Sequence, residues 1–465
     1  MSKIEVNTVA PQCGTTLTLG ESGDTVVLGS GASQTGFGRT GTVDWQTGDI
    51  KTSTFTASNG EGYFCNTSGG AFTVNLPAGS AGAIVSFADY GDNFGTNALT
   101  ISANGSDKIS GETLDALLEA NGESVTLVFV DSTEGWVTVN ASSENIKGSP
   151  FILATGGTET TCGNCKIHTF TGPGTFTVSR AAVCAADNVV SYAVVAGGAS
   201  GGTGNPSSST NLGGGGGGGG FREVKAPTTP YTASPLDGYP SAPNRVTVTA
   251  TAFPITVGGG GAVNTPTGSN GSAGSNSVFS TITSAGGGGG GGTQNGLDGG
   301  SGGGGGAALS TTRSAGSGNT PPVSPAQGKD GGSGNHTPGS AKAGGGGGAG
   351  AVGANGVGGP TPPGTGSYGL GGAGVTTCIT GSPVAYAGGG AGSTNNGPFP
   401  VAPTPQYVAG GTGGGGCGAY EPSGTATDGT VNTGGGGGGG GASALPNKCG
   451  GAGGSGIVII RYKYQ

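Results

Sequence analysis

The sequence predicts an all-β protein with little or no α-helix, and two observations carry that prediction. Short Thr- and Val-rich segments with alternating apolar residues recur through the first 200 residues. Beyond them the chain is dominated by glycine runs that no helix or conventional strand core would use. Of 114 glycines in 465 residues, 29 fall in residues 1–200 and 85 in residues 201–465.

Residues 1–48 read as an N-terminal β stem and attachment region. In "CGTTLTLGESGDTVVLGSGAS" the residues Leu17, Leu19, Val26 and Leu28 sit in very short segments broken at Gly20, Gly23, Gly29 and Gly31. So few apolar side chains cannot fill a core. Identical chains are expected to supply the missing surface, as in a homotrimer.

Residues 49–145 read as a small antiparallel β-domain. "GYFCNTSGGAFTVNLPAG" predicts two strands across a Ser-Gly-Gly turn, "AIVSFADY" a third, "NALTIS" a fourth, and "ESVTLVFVD" with "GWVTVNA" a last pair across Ser132–Gly135. Phe72, Val74 and Leu76 alternate, as do Val125, Leu127 and Phe129, so one face of each strand is expected to be buried. Trp136 is expected to cap that core.

Residues 146–200 predict a hairpin, "KIHTFTGPGTFTVS", folded at Gly172-Pro173-Gly174, then an apolar strand, "NVVSYAVVAGGAS". Residues 201–465 form the glycine-rich domain. Runs of three or more glycines lie at 213–220, 258–261, 286–292, 302–306, 344–348, 388–390, 413–416 and 434–441, and the chain closes on another apolar strand, "GIVIIRYKY". Two strands bracket the region, which argues against a free tail. Runs read as straight elements, and the Pro-, Thr-, Ser- and Asn-rich pieces between them as loops.

Charge excludes several function classes. The formal net charge is −8, and from Gly258 to Ile460 the only charged residues are Asp298, Arg313, Lys329, Asp330, Lys342, Glu421, Asp428 and Lys448. Without a Lys/Arg cluster, no nucleic-acid partner is expected. Nothing in the start "MSKIEVNTVAPQCG" or elsewhere marks secretion or a membrane span. The cysteines (Cys13, Cys65, Cys162, Cys165, Cys184, Cys378, Cys417 and Cys449) are too scattered to define a disulfide framework.

Chemistry-bearing motifs are few. "GGSGG" at 299–303 matches a nucleophile-elbow pattern without a triad or sheet-to-helix context, and "QGKD" lacks the rest of a phosphate loop. Cys162-x2-Cys165 with His168 has the spacing of half a zinc site, but downstream there is only Cys184. A β-strand from Lys166 to Phe170 with neighbouring thiols accounts for it as well, and no metal is expected. His168 and His336, the only histidines, have no carboxylate cluster beside them, and Asp107, Glu112 and Asp115 lack calcium-loop spacing. The chain is expected to be no enzyme and to need no cofactor. Aromatic residues between the runs are the more informative set: Tyr231, Tyr239, Tyr368, Tyr386, Phe399, Tyr407 and Tyr420. Beside Pro, Asn and Ser they have the chemistry of adaptable binding loops.

"SYAVVAGGASGG", "GGGGGGGGFREVKAP", "ITVGGGGAV", "SVFSTITSAGGGGGGG" and the terminal "GGSGIVIIRYKY" resemble the glycine-rich domain of tail fibres and adhesins of tailed, notably marine, bacteriophages. "KIHTFTGPGTFTVS" is similar to the hairpin that precedes that domain, with Cys165 where an aromatic is expected. "VNTVAPQCGTTLTLGESGDTV" and "GYFCNTSGGAFTVNLPAGSAGAIVSFADY" resemble stem and β-domain segments of such fibres.

The resemblance implies that the runs form polyglycine II helices bundled side by side, with Gly216, Gly289, Gly304, Gly346, Gly415 and Gly437 at their contacts and the loops at one end meeting the host surface. It also implies a virion location, attachment to other virion proteins through the N-terminal region, and a bacterial surface glycan or outer-membrane protein as ligand. The physics agrees. Such a helix has three residues per turn, a rise of about 3.1 Å and no internal hydrogen bonds. Ordering eight residues costs roughly 8–16 kcal/mol, and each inter-helix hydrogen bond returns about 0.5–1.5 kcal/mol. A single helix therefore cannot stand alone. Alternatives are a capsid-decorating or other structural fibre without a receptor role and, on weaker grounds, an ice-binding bundle, for which no regular Thr array is present.

Overall fold

In the computed structural model the described residues are 43–141, 151–205, 211–265, 267–308, 311–337, 340–357, 368–395, 407–420, 424–442 and 449–464. The expected stem lies outside them up to residue 42. The chain divides into two compact units between Ser149 and Pro150.

The first unit contains β1 (Asp44–Lys51), β2 (Phe55–Thr56), β3 (Glu61–Cys65), β4 (Phe72–Asn75), β5 (Ile84–Asp89), β6 (Leu99–Ser102), β7 (Ala116–Leu118), β8 (Ser124–Phe129) and β9 (Trp136–Ala141). They form two sheets, ordered β1-β3-β5-β8-β9 and β2-β4-β6-β7. From β1 to β6 the chain alternates between sheets, so β1, β3 and β5 run parallel, as do β2, β4 and β6. This corrects the expected antiparallel domain. β3 and β4 are not a hairpin across Ser68-Gly69-Gly70; they lie in facing sheets. Tyr63 and Cys65 on one, and Phe72 and Val74 on the other, then bury against each other. In a hairpin they would line one face with nothing opposite to cover it. The antiparallel pairs are β5–β8, β6–β7 and β8–β9, the last being the pair expected. Trp136 is fully buried, edge-on to Phe129 at 5.6 Å. Asp107 accepts the amide of Gly79 at 2.8 Å, a loop-fixing role.

The second unit contains β10 (Leu153–Thr155), β11 (Thr158–Cys162), β12 (Cys165–Phe170), β13 (Gly174–Arg180), β14 (Val189–Val195), β15 (Phe221–Val224), β16 (Val246–Thr247), β17 (Ala252–Thr256), β18 (Ser277–Phe279), β19 (Ile282–Ser284), β20 (Asn335–Thr337), β21 (Ser340–Lys342), β22 (Val375–Thr377), β23 (Val384–Tyr386) and β24 (Ile457–Lys463). One sheet is ordered β11-β12-β24-β14-β15, with β16 also on β14, and a second β10-β13-β17-β18-β19. The bracketing strands are direct neighbours, with Val195 opposite Ile457.

A second hairpin also needs correcting. Gly172-Pro173-Gly174 carries the chain from one sheet to the other, so that Phe170 on β12 and Phe176 and Val178 on β13 meet in a shared core. The hairpin in this stretch is β11–β12, closed at Gly163-Asn164, with Gly163 at φ 57°.

Glycine rods extend from the sheets. In the rod 213–220, Gly214, Gly217 and Gly220 donate to the carbonyls of Gly291, Gly288 and Ala285; Gly215 and Gly218 to Gly344 and Gly347; and Gly213, Gly216 and Gly219 to Gly440, Gly437 and Gly434. Each residue thus addresses a different neighbour with a period of three, the signature of a polyglycine II helix. Its carbonyls receive amides from further rods: Gly202 and Ala199, Gly304 and Ser301, and Ser393 and Gly390. The run 213–220 is therefore a central rod with neighbours on all sides, and all eight of its amides bond carbonyls of other segments without water.

Most outer rods are not glycine runs. Around them glycine recurs at every third position, as at 271 and 274, 296 and 299, 328, 331 and 334, 353 and 356, and 450, 453 and 456. At each of these positions an added Cβ would strike a neighbouring backbone. Some of the intervening residues face outward, and Leu297, Val352, Val357 and Leu370 are exposed on these rods.

Candidate functional site

The rods that continue β14, β19 and β23 begin at the sheets, at Ala196, Ala285 and Ala387, and their registers carry Asn205, Thr293 and Asn395 to the opposite end of the bundle. That distal end has its own small core of Leu212, Ala307, Ala341, Ala343 and Ala442. Backbone bridges join Leu212 to Ala307, Lys342 to Thr394 and Thr394 to Tyr420 across it. Asn395 accepts the amide of Ala341 at 2.8 Å, and Ser393 Oγ lies 3.0 and 2.8 Å from the carbonyls of Gly213 and Gly440.

The aromatic candidates separate into two groups. Tyr368, Tyr407 and Tyr420 are distal. The Lys342 ammonium sits 4.5 Å from the centre of the Tyr368 ring. Burial lowers the pKa of that lysine, whose side chain is almost wholly covered. Tyr407 is exposed, and the next residue, Val408, is buried and bridged to Gly418. Phe399 lies outside the described residues, in the segment between Asn395 and Tyr407.

Tyr231, Tyr239 and Tyr386 lie at the sheet end. Tyr386 is a core residue, 4% exposed, with its ring stacked on Phe221. Its place on β23, whose inward face needs an apolar filler, removes it from any binding surface. Burial pushes its hydroxyl up to about 12. Tyr231 packs under the buried guanidinium of Arg461 at 5.2 Å, and Tyr239 against Arg245 at 4.4 Å. These two rings fasten the loop after β15 to the sheet. Arg461 also donates to the carbonyls of Ile379 and Pro230, both at 3.0 Å.

Lys342 was not singled out by sequence reasoning, whereas Ser393–Asn395 open the loop 393–409 that it expected to meet the host surface. The available signal was the isolation of Lys342 as one of few charges, directly before the run 344–348. His168 belongs to the core: its Nδ1 lies 2.6 Å from the Gly156 carbonyl and its Nε2 3.0 Å from the Tyr462 hydroxyl. Among the described residues no group of His, Cys, Asp and Glu is arranged to hold a metal ion. Among the described residues the distal end therefore offers aromatic faces, amides and hydroxyls, with the buried Lys342 ammonium backing the Tyr368 ring, chemistry suited to holding a polar surface by stacking and hydrogen bonds.

The six glycines expected at rod contacts can be placed on the same lattice. Gly216, Gly304, Gly346 and Gly437 each donate to a carbonyl of another rod and accept an amide from a further one. Gly289 accepts the amide of Leu297 at 2.9 Å. Gly415 packs against the carbonyl of Gly389, but its amide closes a turn on Gly411 at 3.0 Å, with Gly413 and Gly414 at φ 96° and 93°, so the run 413–416 is not the straight element expected. The sequence profile of the glycine-rich domain matches residues 169–463, the span from β12 to the end of β24. The chain belongs to the glycine-rich domain family. No curated protein matches the sequence. The family's domain thus takes in both bracketing strands and every rod.

Proposed function

We propose that this protein is a virion fibre or adhesin of a tailed bacteriophage, which recognises the host cell surface through the distal end of its glycine-rich domain. The observation that carries the proposal is the polarity of the bundle. Strands β14, β19 and β23 fix one end of the rods that continue them, while at the other end Tyr368 lies against Lys342, Tyr420 is bridged to Thr394 and Tyr407 is exposed. A rigid rod lattice holding chain segments at its free end supports a recognition role better than a catalytic or purely spacing one. The ligand class is a bacterial surface glycan or an outer-membrane protein. The N-terminal region would attach to other virion proteins and trimerise, and avidity would strengthen weak single contacts.

The test is adsorption. A phage whose fibre carries a deletion or graft of 393–409 is expected to lose or change host adsorption, and the purified native protein to compete with the parent phage for cells. Unchanged adsorption rate and host range, with the altered fibre present on the particle, would overturn the proposal.

A further inference from the structure

The Cys-x-x-Cys of the sequence closes the tip of the β11–β12 hairpin, and the proposed recognition role does not use it. Cys162 and Cys165 are the last cross-strand partners before the two-residue turn. Such partners lie about 4.5–5.5 Å apart between Cα atoms with side chains on one face, inside the range of about 4.4–6.8 Å that a disulfide spans.

Burial places both thiols in one environment. Ile167 and the half-buried Cys162 belong to a cluster with Val195, Ile379 and Tyr386. Cys165 is two residues before Ile167, hence on the same face of β12, and is buried. The Cys162 sulfur points toward Gly381, where an added Cβ would lie 3.0 Å from it. Both cysteines are free thiols, and among the described residues no third metal-ligating group joins them.

We propose that Cys162 and Cys165 are a disulfide-forming pair that locks the hairpin tip when the protein meets an oxidising thiol pool. The step is an exchange with a small-molecule disulfide such as oxidised glutathione. The more accessible Cys162, as thiolate, attacks one glutathione sulfur and releases the other half as a thiol. Cys165 loses its proton, attacks the Cys162 sulfur of the mixed disulfide and releases the second glutathione. Two protein thiols are oxidised and one glutathione disulfide is reduced. The consequence is local. β11 is the sheet's edge strand, with mostly exposed side chains and pairing to β12 alone. The bond fixes the register of that edge once the protein leaves a reducing compartment.

The test uses the full-length native protein, incubated with oxidised or reduced glutathione, alkylated under denaturing conditions, digested and weighed. After oxidised glutathione the peptide containing Cys162 and Cys165 is expected to carry no alkyl group and to be lighter by two hydrogens, and excess reductant is expected to restore both alkylation sites. Cys65, whose burial pushes its thiol up to about 12, is expected to be alkylated in both samples. Amides of 158–162 are expected to exchange more slowly in the oxidised sample. Alkylation of both Cys162 and Cys165 after oxidation, or a bridge from Cys162 to Cys378, overturns the proposal.

Discussion

Gly216 donates its backbone N–H to the carbonyl of Gly437, 2.8 Å away in the rod that follows it on the lattice. That bond is one link in a transverse chain. Gly437 donates to Ala199, Gly390 donates to Gly216, Gly346 to Gly390 and Gly372 to Gly346. The links cross the bundle from rod to rod, and no link is made within a rod. Hydrogen bonds aligned head to tail in a dry interior reinforce one another, so the lattice is more than a sum of pairs.

The first prediction follows from what stands beside each Cα. A Cβ on Gly437 would collide with the carbonyl of Gly451, and one on Gly216 with that of Ala199. Around Gly259, in the run 258–261, there is open space on one side of the rod. Gly437→Ala and Gly216→Ala should each cost about 1–3 kcal/mol or more, because a rigid backbone has to shift. Gly437→Val should be worse. Gly259→Ala should stay within about 0.5 kcal/mol of the parent. Thermal unfolding of the purified variants checks the contrast, and equal melting temperatures for all of them would refute the lattice.

This contrast also shows what the sequence made legible. The interior rods announce themselves as runs, because only glycine fits where neighbours surround a backbone on all sides. Most outer rods do not. At Gly296-Leu297-Asp298-Gly299 only each third residue faces inward, and the pattern is lost among loops of similar composition. The strand positions were readable from alternation, but their partners were not. Alternation says that Phe72 and Val74 share a face, and nothing local says whether that face meets Tyr63 in a hairpin or across a sandwich. Of the aromatic candidates, composition could not separate Tyr386 from Tyr407, since both stand near Pro and Gly. Pairing of β23 with β22 decides it by turning Tyr386 inward.

A second prediction rests on that separation. Tyr386→Ala removes a ring packed on Phe221 and should destabilise the second unit by about 3–5 kcal/mol, the range for large aromatic truncations in cores. Tyr407→Ala removes an exposed ring and should leave the melting temperature within about 1 °C, consistent with surface changes under 0.5 kcal/mol. In adsorption assays the order should reverse: Tyr407→Ala weakens competition for cells while the fold stays intact. Loss of stability in Tyr407→Ala would place that ring in the core.

The third prediction concerns pH. Burial holds the pKa of His168 below its ordinary 6.5, against the opposing pull of the Gly156 carbonyl and the Glu159 carboxylate. The unfolded chain therefore takes up this proton first. Stability is fully present above pH 6.5 and is lost as pH falls from there through the folded-state value, with a slope of up to about 1.4 kcal/mol per pH unit. Burial acts on the Glu223 carboxyl in the other direction, raising it above 4.5 despite the Ser234 and Thr377 hydrogen bonds. There the folded state holds the extra proton, so acidification through that window adds stability. His168→Gln should flatten the decline just below pH 6.5, and Glu223→Gln should remove the compensating gain at lower pH. Denaturant titrations at successive pH values measure both slopes. A decline unchanged in His168→Gln would assign it to other groups.

The last prediction addresses order within the glycine runs. The amides of Gly214 to Gly219 all bond carbonyls of other rods, so none can open without parting the lattice around it. Local fraying cannot expose them one at a time. They should exchange with solvent as a single cooperative group, at the rate and denaturant dependence of Val194 in β14, whose strand anchors a neighbouring rod. Amides in exposed turns such as that of Gly105 should exchange far faster. Hydrogen-exchange mass spectrometry of the native protein, with peptides spanning 213–220 and 189–195, makes the comparison directly. Rapid exchange across 213–220 beside a protected β14 would return the runs to the status of flexible linkers, because a glycine helix without its lattice has no means of shielding its own amides.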